Sequence, residues 1–245
     1  MTNRIIKDIR FYESESPTLY PQELGKIFIP TNDTKYIGQR IARKLNELQY
    51  NYEEFDHIYI NFTTCLNENE MAISERNIDK RIKYLDFGIN PKKLNSLSEE
   101  EKNRFVVKTT FKLLKHICNA ETLNLVHRAE NLISEFGAST EILYKSKETK
   151  KFKIDIYYQI GKANSGTKAK IIFKDKISNT CSAYEYQLQF YEDIYFLVDS
   201  ISLNETVIIF EPQKSAIAEL SNKRYNTPIK LNLSDFKILT ATNTG

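Results

Sequence analysis

Two carboxylates in the C-terminal half of the chain offer the clearest route to catalysis. Asp155 lies within an alternating apolar and polar run, and Glu185 begins a Glu-Tyr-Gln triplet two predicted strands later. An acidic residue followed by Glu-x-Lys on adjacent strands places two carboxylates and a base around magnesium, and Gln replaces the Lys in degenerate versions. This pattern supports a hypothesis of metal-dependent phosphodiester cleavage. Any antiparallel sheet with charged outward residues also produces Glu-x-Gln, so a solvated strand explains the same residues.

Other catalytic and cofactor signatures are missing from the sequence. His57, His116 and His127 form no recognisable ligand cluster, and His116 and Cys118 stand two residues apart on a predicted helix, so they point in different directions. The glycine-rich loops that hold nucleotides and the Gly-x-Ser-x-Gly turn of esterases do not occur. We therefore predict no catalytic residues, no cofactor and no resident metal, apart from the hypothesis above.

A lysine-rich segment covers residues 145–176. It has three acidic residues and an excess of seven positive charges, and its ten lysines are Lys145, Lys147, Lys150, Lys151, Lys153, Lys162, Lys168, Lys170, Lys174 and Lys176. Such a surface is typical of proteins that track the phosphates of nucleic acids. The segment lacks arginine, which holds phosphate through two parallel hydrogen bonds. Lysines also keep exposed sheet edges from pairing with other chains, and we favour this second interpretation.

Tyrosines on the outer faces of the predicted strands are candidates for a protein contact surface, because they bury large area at little entropic cost. A strand points only alternate residues at a partner. The alternation of apolar residues predicts that Tyr184 and Tyr186 point inward. The predicted protein-binding residues are Tyr59, Tyr157, Tyr191, Lys153 and Lys170.

Composition places the chain among ordinary folded proteins. Its 245 residues are 41% hydrophobic and 27% charged, and the net charge of +3 is too small to imply a polyanionic partner by itself. Three widely spaced cysteines argue against a disulfide framework and for a reducing compartment. Because neither a signal peptide nor a membrane-spanning run is evident, we expect a cytoplasmic protein. The many Asn, Lys and Ile residues suggest a bacterial source.

Helical periodicity dominates the first half of the chain. Residues 98–137 predict two successive helices, with a capping box at Ser98 and Glu101 and a glycine cap at Gly137. An earlier helix ends at Gln49 and has Arg40, Arg43 and Lys44 on or near its solvent side. Residues 57–66 alternate as a strand with one covered face.

Alternating runs joined by short turns dominate from residue 141 onward. They predict an antiparallel meander of about five strands, including residues 194–198 and 207–210, with a further strand within 229–239 and a loose end at 240–245. Helices and strands in separate blocks indicate an α+β fold, an antiparallel sheet with the helical hairpin packed on one face. We predict a single domain spanning residues 1–245, helix-rich over 1–137 and strand-rich over 138–245.

Residues 84–102, YLDFGINPKKLNSLSEEEK, lead into the first helix of the hairpin and resemble segments of small bacterial immunity proteins encoded beside polymorphic toxins. The resemblance covers less than a tenth of the chain. It implies a cytosolic protein that occludes or distorts a toxin domain, and it implies no catalytic residues.

Three hypotheses follow for the function. The first is a non-enzymatic protein that binds another protein, most plausibly a bacterial toxin domain that it neutralises. The second is a metal-dependent nuclease or nucleic-acid-binding protein that uses Asp155, Glu185 and the lysine-rich hairpins. The third is an assembly component that forms homo-oligomers through a sheet edge.

Overall fold

The computed structural model describes residues 4–76 and 78–239, and it confirms the predicted α+β class. The chain divides into two compact units, residues 1–140 and residues 141–245. The single domain remains a prediction. The predicted loose end, residues 240–245, lies outside the described residues. Within residues 4–76 and 78–239, every helix is too short or too polar to cross a membrane.

The first unit contains a mixed five-stranded sheet and four α-helices. Its elements are β1 (Asp8–Ser14), β2 (Gln22–Glu23), α1 (Thr34–Glu47), β3 (His57–Thr63), β4 (Met71–Ile73), β5 (Ile82–Gly88), α2 (Pro91–Asn95), α3 (Glu99–Ile117) and α4 (Ala120–Phe136). The strand order is β2-β1-β3-β5-β4, in which β1, β3 and β5 are parallel and the two outer strands are antiparallel to their neighbours.

The central strand β3 is buried on both faces, so the prediction of one covered face for residues 57–66 is wrong. Ile58, Ile60 and Phe62 lie in the core, and the alternate residues Asn61 and Thr63 are buried as well. Parallel strands are normally covered on both faces, because the crossover connections between them run over the sheet. Here the connection from β1 to β3 contains α1.

The helical hairpin forms as predicted, with α3 and α4 joined at Cys118 and Asn119. Ser98 accepts a hydrogen bond from the main-chain amide of Glu101, whose side chain accepts one from the amide of Ser98 at 2.9 Å. Gly137 follows α4 with a φ of +53°, in the region that favours glycine. The sheet under the hairpin is the mixed sheet and not the antiparallel sheet that was predicted to carry it, since Phe105 of α3 contacts Phe62 and Phe87 at ring distances of 5.8 and 6.0 Å.

Helix α1 packs closely on β1 and buries residues that were expected to face solvent. Arg40 and Lys44 are each only 5% exposed, so the prediction that they lie on the solvent side is wrong. Burial lowers the pKa of Arg40 to about 10, although the charge of Asp33 opposes this shift. Lys44 pairs with Glu47 at 2.7 Å. These long side chains bury their apolar stems while their charged ends find partners.

A buried carboxylate fixes the amino ends of the parallel strands. Asp56 is 1% exposed and accepts two hydrogen bonds from Arg81, at 3.1 and 2.7 Å. His57 Nδ1 lies 2.6 Å and Lys7 Nζ 3.2 Å from the same carboxylate. Burial favours the neutral acid, but the hydrogen bonds from Arg81, His57 and Lys7 outweigh it and hold the pKa of Asp56 well below its usual range.

The second unit contains the predicted antiparallel meander and a smaller sheet. Its elements are β6 (Glu141–Glu148), β7 (Phe152–Gln159), β8 (Thr167–Asp175), β9 (Thr180–Leu188), α5 (Asp193–Leu197), β10 (Ser200–Asn204), β11 (Val207–Glu211), α6 (Ala216–Asn222), β12 (Ile229–Asn232) and β13 (Lys237–Ile238). One sheet has the order β13-β9-β8-β7-β6, and β10, β11 and β12 form the other. The strand predicted at 194–198 is wrong, because those residues lie mostly in α5.

We predict that Gly38→Ala destabilises the protein, although Ala normally stabilises a helix by about 1 kcal/mol relative to Gly. A methyl group at Gly38 would lie 2.5 Å from the main-chain oxygen of Ile9 and 2.9 Å from the ring of Phe11. We expect a loss of about 2 kcal/mol in the free energy of unfolding, measured with urea. Lys35→Ala, at an exposed site on the same helix, is the control and should change stability by less than about 0.5 kcal/mol. A stabilised Gly38→Ala protein would contradict this packing.

We predict that Asp56→Asn lowers stability at pH 7 by about 2 kcal/mol, because Arg81, Lys7 and His57 lose a charged partner. Since the pKa of Asp56 is depressed by folding, its contribution is present above the ordinary pKa of about 4 and is lost as pH falls toward the lower folded-state pKa. Urea unfolding between pH 7 and pH 3 should therefore show a smaller acid-induced loss in the variant. Glu135→Gln, at an exposed site, should keep the wild-type pH dependence.

Candidate protein-binding face

Alternate residues of β6 to β9 build one face of the meander, which we call the polar face. Its main row crosses four strands in register, from Leu143 through Tyr157 and Lys170 to Glu185. Asp155 and Ile172 are paired in the neighbouring row. The opposite face carries the apolar residues Ile142, Ile154, Ile156, Tyr158, Ala169 and Ile171, all buried. The strict alternation therefore leaves the polar face as the partly accessible side.

The polar face has an aromatic and aliphatic centre with ion pairs around it. Leu143, Tyr157 and Ile172 are half-buried. Lys153 pairs with Asp155 at 2.8 Å, Lys170 with Glu141 at 2.8 Å and Lys168 with Glu185 at 2.6 Å, and these three pairs form the surround. The hydrogen bond from Lys153 to Asp155 is the main cause of a raised Lys153 pKa. Three of the five predicted binding residues, Tyr157, Lys153 and Lys170, thus lie together on this face.

The other two predicted binding residues do not face outward, so that expectation is wrong for both. Tyr59 is 8% exposed in β3, where its ring lies 5.0 Å from that of Tyr12 and 5.5 Å from that of Tyr84. Tyr191 is 6% exposed and stacks on Tyr158 at 6.2 Å. Their part in binding a protein remains a prediction, but it would require contact through neighbouring side chains.

Ion pairing reduces the charge that the lysine-rich segment offers to phosphates. Six of its ten lysines have a carboxylate or carbonyl partner, including the three pairs on the polar face and Lys176, which contacts Glu148 at 2.5 Å. Lys145 and Lys147 donate to main-chain carbonyls of Val198 and Ile201, at 3.0 and 2.6 Å. Ile201 belongs to the edge strand β10, so these contacts agree with the interpretation of lysine as a guard of sheet edges.

The two candidate catalytic carboxylates lie on β7 and β9, with β8 between them. Asp155 is paired across the strands with Ile172, whereas Glu185 is paired with Lys170, so the two acids stand in different rows. Each has its own lysine, and Ser146 also donates to Asp155 at 2.5 Å. Nowhere in residues 4–76 and 78–239 do three or more His, Cys, Asp or Glu residues form a group that could hold a metal ion. The geometry gives the magnesium hypothesis no support.

A buried polar cluster, which was not predicted from the sequence, lies at the carboxyl ends of the parallel strands. Asn61 donates to Ser14 at 2.9 Å and to Asp86 at 2.8 Å, and Arg76 donates to both oxygens of Asp86 at 2.7 and 2.9 Å. Arg76 also donates to the main-chain oxygens of Ser16 and Leu19, so it holds that loop against the sheet. The sequence did contain a sign of this cluster, because the polar residues Asn61 and Asp86 interrupt otherwise apolar strands. Nearly complete internal pairing makes this cluster a structural element.

Comparison with known proteins returned no matching family model, no matching curated protein and no matching solved structure.

We predict that millimolar Mg²⁺ leaves the melting temperature unchanged, because the carboxylates of Asp155 and Glu185 are separated and each is paired with a lysine. Ligand binding to the folded state would raise the melting temperature in proportion to its affinity and concentration. Differential scanning fluorimetry of the wild type, Asp155→Ala and Glu185→Ala tests this. A Mg²⁺-dependent rise in the wild type that both variants lack would revive the metal-site hypothesis.

Proposed function

We propose that this chain works by binding another protein through the polar face, and that the partner is a bacterial toxin domain which it neutralises. The observation that carries the proposal is the half-buried centre of Leu143, Tyr157 and Ile172 inside a surround of ion pairs. Protein interfaces combine an apolar, aromatic core with a polar rim in this way.

The ion pairs suit a surface that must stay soluble when free and become specific when bound. Lys153, Lys168 and Lys170 on the polar face already have carboxylate neighbours, so burial of these three pairs by a partner does not isolate their charges. A charge that is buried without a partner costs far more than a paired one. A partner with the opposite order of charges would fit this pattern, and a partner with the same order would be repelled.

Two features of the chain favour a toxin domain as the partner and the bacterial cytoplasm as the location. Residues 84–102, which resemble immunity proteins, form the end of β5, α2 and the start of α3, where Asn90 and Ser98 cap the two helices. Cys65, Cys118 and Cys181 are free thiols, which agrees with a reducing compartment.

The test begins with the reading frames beside the one that encodes this chain: if one of them encodes a large secreted protein, its C-terminal domain is the candidate partner. Co-expression should restore growth of cells that express the domain, and the two proteins should elute as one complex. We expect Tyr157→Ala to weaken the complex by about 2 kcal/mol, or roughly thirtyfold in Kd, as for a central interface tyrosine. Isothermal titration calorimetry measures this change.

Tyr20→Ala is the matched control, because Tyr20 is 65% exposed in the first unit and lies outside the polar face. It should leave the affinity unchanged. If the domain forms no complex and its toxicity persists, the proposed partner class is wrong. If a complex forms that Tyr157→Ala and Tyr20→Ala weaken equally, the polar face is the wrong surface.

A further inference from the structure

The connection between β11 and β12, residues 212–228, lines an open surface pocket of about 520 Å³ that lies apart from the row of Tyr157 and Lys170. Helix α6 forms one wall. The side chains that bear on its chemistry are Gln213, Lys214, Glu219, Asn222, Lys223 and Asn226. A volume of several hundred Å³ is enough for a small metabolite.

Asn222 is the residue that points to a ligand. It is 8% exposed, and its Oδ1 atom is buried without a hydrogen-bond partner among the described residues. Buried polar side chains are nearly always hydrogen-bonded, because an unpaired acceptor loses its interaction with water and gains nothing. A hydroxyl or amine of a bound molecule would supply the missing donor.

Hydrogen bonds hold the wall beside Asn222 in place. The hydroxyl of Tyr225, another residue of the pocket lining, donates to Asp193 at 2.5 Å and accepts from the main-chain amide of Gln189 at 2.8 Å. Arg224 also pairs with Asp193, which is 2% exposed. The main-chain amide of Tyr225 donates to the carbonyl of Asn222 at 2.9 Å. The wall is therefore ordered before any ligand arrives, which reduces the entropic cost of binding.

The charges of the pocket favour an anion. Lys214 and Lys223 line it against a single acid, Glu219, and within the described part of the chain neither lysine forms a salt bridge. The amides of Gln213 and Asn226 offer both donors and acceptors. Lysine ammonium groups bind phosphate as compact point charges, whereas amides suit the hydroxyls of a sugar.

We infer that this pocket binds a small hydroxylated anion of the sugar phosphate class. Lys214 and Lys223 hold the phosphate, and a sugar hydroxyl donates to Asn222 Oδ1. Inorganic phosphate fits less well than a sugar phosphate. As a dianion it offers mainly hydrogen-bond acceptors, whereas Asn222 Oδ1 needs a donor. This inference does not depend on the proposed binding of a toxin domain.

Ribose 5-phosphate is the probe, titrated into the full chain by calorimetry, with ribose and inorganic phosphate as its separated halves. We expect the intact probe to bind at least about tenfold more tightly than either half. The Lys214→Ala, Lys223→Ala double variant should lose at least about tenfold in affinity, and Asn222→Leu a similar factor. Lys230→Ala, at an exposed site on β12, is the control and should bind like the wild type.

Thermal unfolding shows whether each variant is folded, and chemical shift changes in the Asn222 side-chain amide report on binding where heats are small. The inference is overturned if millimolar ribose 5-phosphate neither releases heat nor shifts that amide. It is also overturned if inorganic phosphate binds as tightly as ribose 5-phosphate, or if the double lysine variant and Lys230→Ala bind equally well.

Discussion

The burial of β3 on both faces is the constraint on which the first unit depends. A strand that is covered above and below needs a layer on each side, and the core side is supplied by α1, α3 and α4. It also forces every polar group at the strand ends to find a partner inside the protein. Asp56 meets this demand at the amino end. At the carboxyl end the Asn61, Asp86 and Arg76 cluster meets it except at Asn61 Oδ1, which has no partner among the described residues. Both clusters join neighbouring strands, so they fix the parallel register as well as satisfying their own charges.

The second unit solves a different problem, because its meander keeps one face partly accessible. Apolar residues alternate with charged ones along β7 and β8, and the charged ones pair across and along the strands. The paired lysines keep this face charged while Tyr157 stays half-buried at its centre. The lysine excess seen in the sequence is therefore offset by acids such as Glu141 and Glu185, which lie outside the counted segment but beside it in space.

Patterns confined to one element could be read from the sequence, and pairings between distant elements could not. The capping box of Ser98 and Glu101 and the alternation of β7, β8 and β9 depend on neighbours in the chain, and both were predicted. The parallel pairing of β1 with β3 depends on contacts about fifty residues apart, so local periodicity carries no record of it. The same limit explains Tyr59, Tyr191, Arg40 and Lys44, whose positions in an amphipathic pattern suggest exposure although distant residues cover them. Of the candidate site, Tyr157, Lys153 and Lys170 were identified because strand alternation alone places them on one face.

Among the described residues, both units contain buried amide oxygens without a hydrogen-bond partner, at Gln39 and Asn61 in the first unit and at Asn222 in the second. In the first unit, Arg76 and Arg81 each use several donors on a buried carboxylate or on nearby main-chain oxygens, which leaves little for a ligand. In the second unit, the amide oxygen of Asn222 lacks a partner among the described residues, and Lys214 and Lys223 line the same pocket. Polar groups that are already paired within the protein stabilise the fold, whereas unpaired polar groups can gain hydrogen bonds or ion pairs from a ligand. Within the second unit, recognition should therefore be sought on the polar face for a protein and in the β11–β12 pocket for a small anion.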